Sequence, residues 1–192
     1  MRWGVSGNLG WHVPQSAFTF GAEGRIGYQI SNLLSAYAIV GGTVGLGFGG
    51  SVSSSGATIS ATALSYYYFG AIAEAMFADI FYVGGGPVLA NGGLVGATVT
   101  GGTSGAGATS FVHAGLAPGL DLRLGLGLGR PNPAPSFRRG GFNIGLNALI
   151  LFRPNTAVTR VQADMNGASV DVTTNELAVT VAPMLMLGYD SR

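Results

Sequence analysis

The side chains able to do chemistry in this chain are few, and the clearest come in pairs two residues apart. Glu23 and Arg25 form one pair and Asp121 and Arg123 another; Glu74 and Arg153 are further charges set in apolar stretches. Two positions apart on a strand means the same face. A carboxylate and a guanidinium that share a water-poor face neutralise each other before either becomes an acid or a base. His12 and His113 are the two histidines. A hydrolytic centre needs a nucleophile, a base and an orienting acid within reach of one another, and neither histidine has such company nearby in the chain. Two isolated histidines and scattered carboxylates give no metal-ligand spacing, and the absence of cysteine removes thiolates and disulfides. Gly84-Gly85-Gly86 is followed by neither a lysine nor a helix pattern and is no phosphate loop. No catalytic residue, cofactor or metal is expected. The six charges are expected to form a buried network.

The elements that must hold those charges are strands. Leu120, Leu122, Leu124, Leu126 and Leu128 alternate with Asp121, Arg123, Gly125 and Gly127, a period of two that puts leucines on one face and charges on the other. An uninterrupted leucine face needs a cover, and the chain has no amphipathic helix to supply one, so lipid is its expected solvent. Composition agrees. Charged residues make up 9%, Gly numbers 34 of 192, and mean hydropathy is positive. A soluble domain carries roughly 25% charged residues. A net charge of +1 leaves no basic footprint for nucleic acid. The charge-free run 26–73 invites transmembrane helices, but its glycine density and the period of the clearest segments oppose them.

Residues 2–12 give a strand with Trp3, Val5, Gly7, Leu9 and Trp11 on one face. Residues 18–30 give a second, with Glu23 and Arg25 opposite Phe18, Phe20, Ile26 and Tyr28. Residues 34–50 form a third, in which Tyr37 and Ile39 oppose Val44, Leu46 and Phe48; a bulge near Gly41-Gly42 would reconcile them. Residues 51–58 read as a Ser/Gly loop and 101–107 as a flexible Gly-rich loop. Residues 59–75 form the fourth strand, with Tyr66, Tyr68 and Glu74 inward. The fifth, from 80 to about 99, is expected to be irregular at Gly84–Pro87. The sixth spans about 108–129, and the prolines of 131–135 end it. The seventh begins near Phe142, with Phe152 outward and Arg153 inward. Asn166-Gly167 is the dipeptide of a two-residue hairpin, and the register it sets pairs Phe152 with Val181 and Leu146 with Leu187. The hairpin is long enough to stand clear of a membrane as a ribbon carrying Arg160, Asp164, Asn166, Gly167 and Asp171. Trp3, Trp11, Phe18, Tyr28, Phe152 and Tyr189 fall at the ends of outward faces, where aromatic girdles belong.

The pattern is that of an all-β, antiparallel, up-and-down transmembrane β-barrel of about eight strands, forming a single domain over residues 1–192. With its alternating strands and the closing Leu185, Leu187, Gly188 and Tyr189, the chain resembles the small eight-stranded outer-membrane barrels, the family that includes the transmembrane domain of outer membrane protein A. It departs from that family in continuing past the aromatic with Asp190-Ser191-Arg192. The resemblance implies a lumen crossed by salt bridges, a bacterial outer-membrane location with periplasmic termini, and an export signal already removed, since the chain opens directly into strand pattern. Membrane lipid is the expected partner, with a partner protein or neighbouring barrel at the outside hairpins and no nucleic acid. The expected role is non-catalytic, structural or surface-interacting. A small porin-like channel with a gated lumen and an outer-membrane lipid-modifying enzyme are the alternatives.

Overall fold

The computed structural model describes residues 1–31, 33–78, 80–102, 105–129, 141–163 and 169–191. The eight strands are β1 (Arg2–His12), β2 (Ala17–Gln29), β3 (Leu34–Ser53), β4 (Gly56–Phe77), β5 (Phe81–Gly102), β6 (Gly105–Gly127), β7 (Gly141–Ala163) and β8 (Ser169–Asp190). Each pairs antiparallel with the next, and β1 pairs with β8 from Gly4↔Asp190 to Gly10↔Met184. The sheet therefore closes on itself as an eight-stranded up-and-down barrel. Alternation along the strands sets its two faces. Leu120, Leu122 and Leu124 are 43, 48 and 56% exposed, while Asp121 and Arg123 between them are 0 and 2% exposed. Trp3, Val5, Leu9 and Trp11 likewise point out, and Ser6, Asn8 and His12 point in. An eight-stranded barrel is just wide enough inside for side chains to fill it.

Several features differ from the sequence expectation. The ladder of β3 runs without a shift from Gln29↔Ser35 to Phe18↔Leu46 and from Leu34↔Ala75 to Ser53↔Gly56, so no bulge forms at Gly41-Gly42. Tyr37 and Ile39 simply face the lumen, where large side chains are filling. Strand β5 is also regular against β6, pairing throughout from Phe81↔Leu126 to Gly102↔Gly105. Only its β4 side skips Gly86 and Pro87, without changing register, because proline has no N–H to give the ladder. The bulges instead lie between Val112 and Gly119 in β6, and between Arg153 and Thr156 in β7. Gly115 (φ 112°) and Asn155 (φ 60°) occupy them, two residue types that tolerate positive φ.

The β7–β8 ladder lies two positions from the register that a turn at Asn166-Gly167 sets, with Phe152 on Val179 and Leu146 on Leu185. The β7 bulge accounts for one of the two, because Ala163↔Ser169 above it is already one position off. That turn lies outside the described residues. The stretches read as loops at 51–58 and 101–107 are ladder, closed by Ser53↔Gly56 and Gly102↔Gly105. The connections at this end are therefore short and the strands themselves are long. Strands β3 to β8 have 20–23 residues, whereas β1 and β2 have 11 and 13. Six strands therefore rise well above the β1–β2 turn.

Tyrosines resting on lumen glycines hold the interior tight. Gly41 faces Tyr68 across the β3–β4 ladder, and a Cβ at Gly41 would stand 2.5 Å from Tyr68 Cζ. Tyr82 covers Gly125 and Gly145 in the same way. The lumen glycines thus create room that aromatic rings fill, the small-against-large packing of narrow barrels. Gly41→Val should push Tyr68 off its seat and cost about 1–3 kcal/mol, the usual price of overpacking. Urea unfolding of the detergent-folded protein, followed by tryptophan fluorescence, would measure it, and an unchanged midpoint would mean that Tyr68 has another place to go.

Candidate functional site

The buried charges gather on β2, β4, β6 and β8, whose inward positions meet in the lumen. Arg123 is at the centre. Its Nη1 and Nη2 donate to Glu23 Oε1 and Oε2 (2.9 and 3.1 Å), and its Nε and Nη2 donate to Asp121 Oδ1 and Oδ2 (3.0 and 2.7 Å). One planar guanidinium thus grips two carboxylates, each by two bonds, the geometry that suits arginine best. The Tyr68 hydroxyl donates to Glu23 Oε2 at 3.0 Å and Asn147 Nδ2 to Asp121 Oδ2 at 3.2 Å. All three charged side chains are fully withdrawn from solvent.

A second cluster centres on Arg25. It donates through Nε and Nη2 to Asp190 (both 2.8 Å) and through Nη1 to Glu74 Oε1 (3.3 Å), and lies 5.8 Å from the Tyr37 ring centroid. Asn143 Nδ2 also donates to Asp190, at 3.1 Å. Glu23 and Arg25 do not bond to each other; each reaches across the lumen to a different strand. This differs from a pairing along β2; on β6, by contrast, Asp121 and Arg123 do bond along one strand. Arg153 does not join either cluster and lies toward the tall end of the barrel, on Tyr66 and Thr180.

Asp190 is the member that sequence reasoning missed. Tyr189 points outward, so period two turns Asp190 inward; that signal was present but hidden by reading 190–192 as a tail. Tyr68, Asn143 and Asn147, inward by the same alternation, take roles in the two clusters that spacing does not announce. Neither histidine touches a carboxylate among the described residues: His12 Nδ1 donates to Gln15 Oε1 at 3.1 Å, and His113 Nδ1 meets the Thr156 hydroxyl at 3.2 Å. No group of three or more metal-ligating side chains occurs among the described residues.

The six aromatics assigned to the girdles all face outward. Trp3 and Phe142 pack against Tyr189 at centroid distances of 6.4 and 5.7 Å, and Trp11 packs against Phe18 at 6.4 Å. These contacts lie at opposite ends of β1. On the β7–β8 ribbon, Arg160 pairs with Val172 and Asp171 with Val161 in the ladder; Asp164, Asn166 and Gly167 lie outside the described residues. Arg160 Nη2 sits 3.1 Å from Glu176 Oε1, both side chains half-exposed. The Thr174 hydroxyl, and then Arg160, hold the Glu176 carboxyl below its ordinary range. What this contact adds to the ribbon is therefore present above the ordinary carboxyl pKa and is lost as pH falls through the lowered value.

This arrangement defines a class by its geometry: a closed eight-stranded barrel whose lumen is bolted by buried, bidentate ion pairs. No family model matches the chain, and no curated protein matches it.

Breaking the central bolt should be costly. Arg123→Ala would leave Glu23 and Asp121 buried without their cation, at about 3–5 kcal/mol. The loss should appear as a lower urea midpoint in detergent, and an unchanged midpoint would mean that water reaches these carboxylates. Glu74→Gln, which keeps the shape and leaves both Arg25–Asp190 bonds in place, should cost less than Arg123→Ala.

Proposed function

We propose that the protein is a non-catalytic outer-membrane β-barrel with a structural and surface-interaction role, its tall end standing outside the cell. The observation that carries this reading is the apolar outer belt wrapped around a lumen closed by ion pairs. A belt of exposed Leu, Val, Ile and Phe bounded by Trp and Tyr is poorly matched to water and well matched to a bilayer. The lumen at the level of Arg123 and Arg25 is filled by paired charges and tyrosines, an arrangement suited to rigidity rather than to ion passage. The belt fits the lower half of β3 to β8, and their upper halves then extend into the aqueous phase.

That upper wall has two unpaired edges. Above Leu46, β3 has no partner on its β2 side, because β2 starts at Ala17. Above Val181, β8 has none on its β1 side. Unpaired edges invite strand addition from a partner protein or a neighbouring barrel, and this favours the interaction role over a purely mechanical one.

The chain has no cysteine, so single cysteines report cleanly. On intact cells a membrane-impermeant maleimide should label Val52→Cys, at the tip of β3, and spare Leu122→Cys, in the belt. Labelling of Leu122→Cys at the rate of Val52→Cys would end the membrane reading, and steady single-channel conductance in planar bilayers would end the closed-lumen reading. For the interaction role, trypsin should cut after Arg160 more slowly in outer-membrane vesicles than in the purified barrel in detergent. Equal rates would leave the ribbon without a partner.

A further inference from the structure

The buried arginines of the lumen are not treated alike. Arg25 and Arg123 are saturated with carboxylates, whereas Arg153, 1% exposed, has no carboxylate partner among the described residues. Its contacts are the Thr180 hydroxyl, which accepts from Nε at 3.4 Å, and the Tyr66 ring, 5.3 Å from its guanidinium carbon; its Nη2 has no hydrogen-bond partner. A buried cation without a counter-charge is among the most expensive features a fold can carry.

Two histidines close the same layer. The Arg153 charge acts on both His12 and His113. His12 lies against Tyr66 with ring centroids 6.3 Å apart. Each ring has its Nδ1 engaged, with Gln15 and Thr156 respectively, and each has a buried Nε2 with no partner. The Thr156 hydroxyl gives its one proton to the Arg153 carbonyl at 3.1 Å, so it accepts from His113 Nδ1–H, which leaves a lone pair on the His113 Nε2. Gln15 Oε1 does the same for His12. Both strand bulges of the barrel border this layer: one directly follows Arg153 and the other begins beside His113. Bulges re-aim side chains and gather next to functional sites. Above the layer the tall wall encloses an open vestibule of about 500 Å³, lined by Ser51, Ser53, Thr58, Thr109, Arg160 and Gln162.

We propose that Arg153, His12 and His113 form a binding site for a phosphate-class oxyanion that still carries a proton, either inorganic phosphate or the phosphomonoester headgroup of a lipid. The guanidinium takes the charged oxygens, for which its planar fork is suited. An imidazole Nε2 lone pair accepts each P–O–H proton, one for a phosphomonoester monoanion and two for dihydrogen phosphate. A halide or sulfate supplies the charge but no proton for the histidines, so the layer selects against both.

The test uses the full chain folded in dodecyl maltoside, a phosphate-free detergent. Thermal unfolding is followed at constant pH and ionic strength while inorganic phosphate replaces chloride. Saturation to a hundredfold excess over Kd should raise Tm by about 5–10 °C, and sulfate should raise it far less. Arg153→Met, which removes the buried cation and keeps an apolar stem, should be at least as stable as the parent without phosphate and should not respond to it. If Arg153→Met fails to fold, His113→Phe, which deletes a proton acceptor, must still weaken the phosphate response, and phosphorus NMR of the unaltered protein must still show saturable binding. A response to inorganic phosphate identifies the free anion. A response that appears only when phosphatidic acid is titrated into the micelles, and that needs Arg153, identifies the lipid headgroup. No response to either, an equal response to sulfate, or the same response in Arg153→Met overturns the proposal.

Discussion

The barrel depends on a guanidinium that cannot be left alone. Arg123 projects from β6 into a lumen where water is displaced, and it must find carboxylates there or not be buried at all. It finds Asp121 on its own strand and Glu23 on β2, four strands around an eight-stranded ring. The ladder joins each strand only to its neighbours, so it fixes the circumference without bracing the cross-section. The Glu23–Arg123 bridge braces it, tying opposite walls. Its geometry depends in turn on small details of packing. Tyr68 reaches Glu23 because Gly41 leaves space for its ring, and Asn147 occupies an oxygen of Asp121 that Arg123 has already engaged. A glycine in the wall and a charge in the lumen are thus parts of one arrangement.

Much of this was legible in the chain, and the reason is the period. Trp3 to Trp11, Phe18 to Tyr28 and Leu120 to Leu128 show alternation strict enough to assign faces, and from faces follow the inward positions of Glu23, Arg25, Asp121 and Arg123. A period of two says nothing about azimuth, however. Which inward carboxylate meets which inward arginine depends on strand order, tilt and shear around the closed ring, so the crossing of Arg25 to Asp190 and Glu74 was not readable. Register was lost for a different reason. A turn dipeptide sets register only while both strands count evenly, and the Pro154-Asn155 bulge inserts a residue that no alternation pattern announces. The Ser/Gly segments at 51–58 and 101–107 misled by composition. Ser and Gly are poor strand formers in isolation, but β4 pairs with both β3 and β5 there, and ladder on each side outweighs weak local preference.

The uneven height of the wall follows from the same closure. On the membrane reading proposed above, only the belt has to be a complete ring, because only there is an unpaired backbone group denied both water and a partner. Beyond the belt, water can satisfy a free edge, so β1 and β2 turn back after 11 and 13 residues while their neighbours continue. The β3 edge there carries glycines and serines with exposed Phe48 and Val52 among them, and the β8 edge carries Asn175 and Glu176 beside exposed Leu177. Such edges mix the small and charged residues that discourage unselective strand pairing with apolar ones that a partner could cover.

The lumen consequently has two levels built by opposite rules. At the lower level, carboxylates surround Arg25 and Arg123 and take up their donors; such a network rigidifies a fold because each member is costly to release. At the upper level, Arg153, His12 and His113 keep polar atoms unmatched, in the part of the ring where the ladder is interrupted twice. A sequence under selection for stability alone would fill that level as it fills the rest, with the tyrosines, leucines and methionines that pack around it. Keeping a bare guanidinium there departs from local consistency, and such departures in natural folds concentrate where the molecule does something. The lower level holds the ring shut; the upper level, short of counter-charge, is where an anion has something to gain.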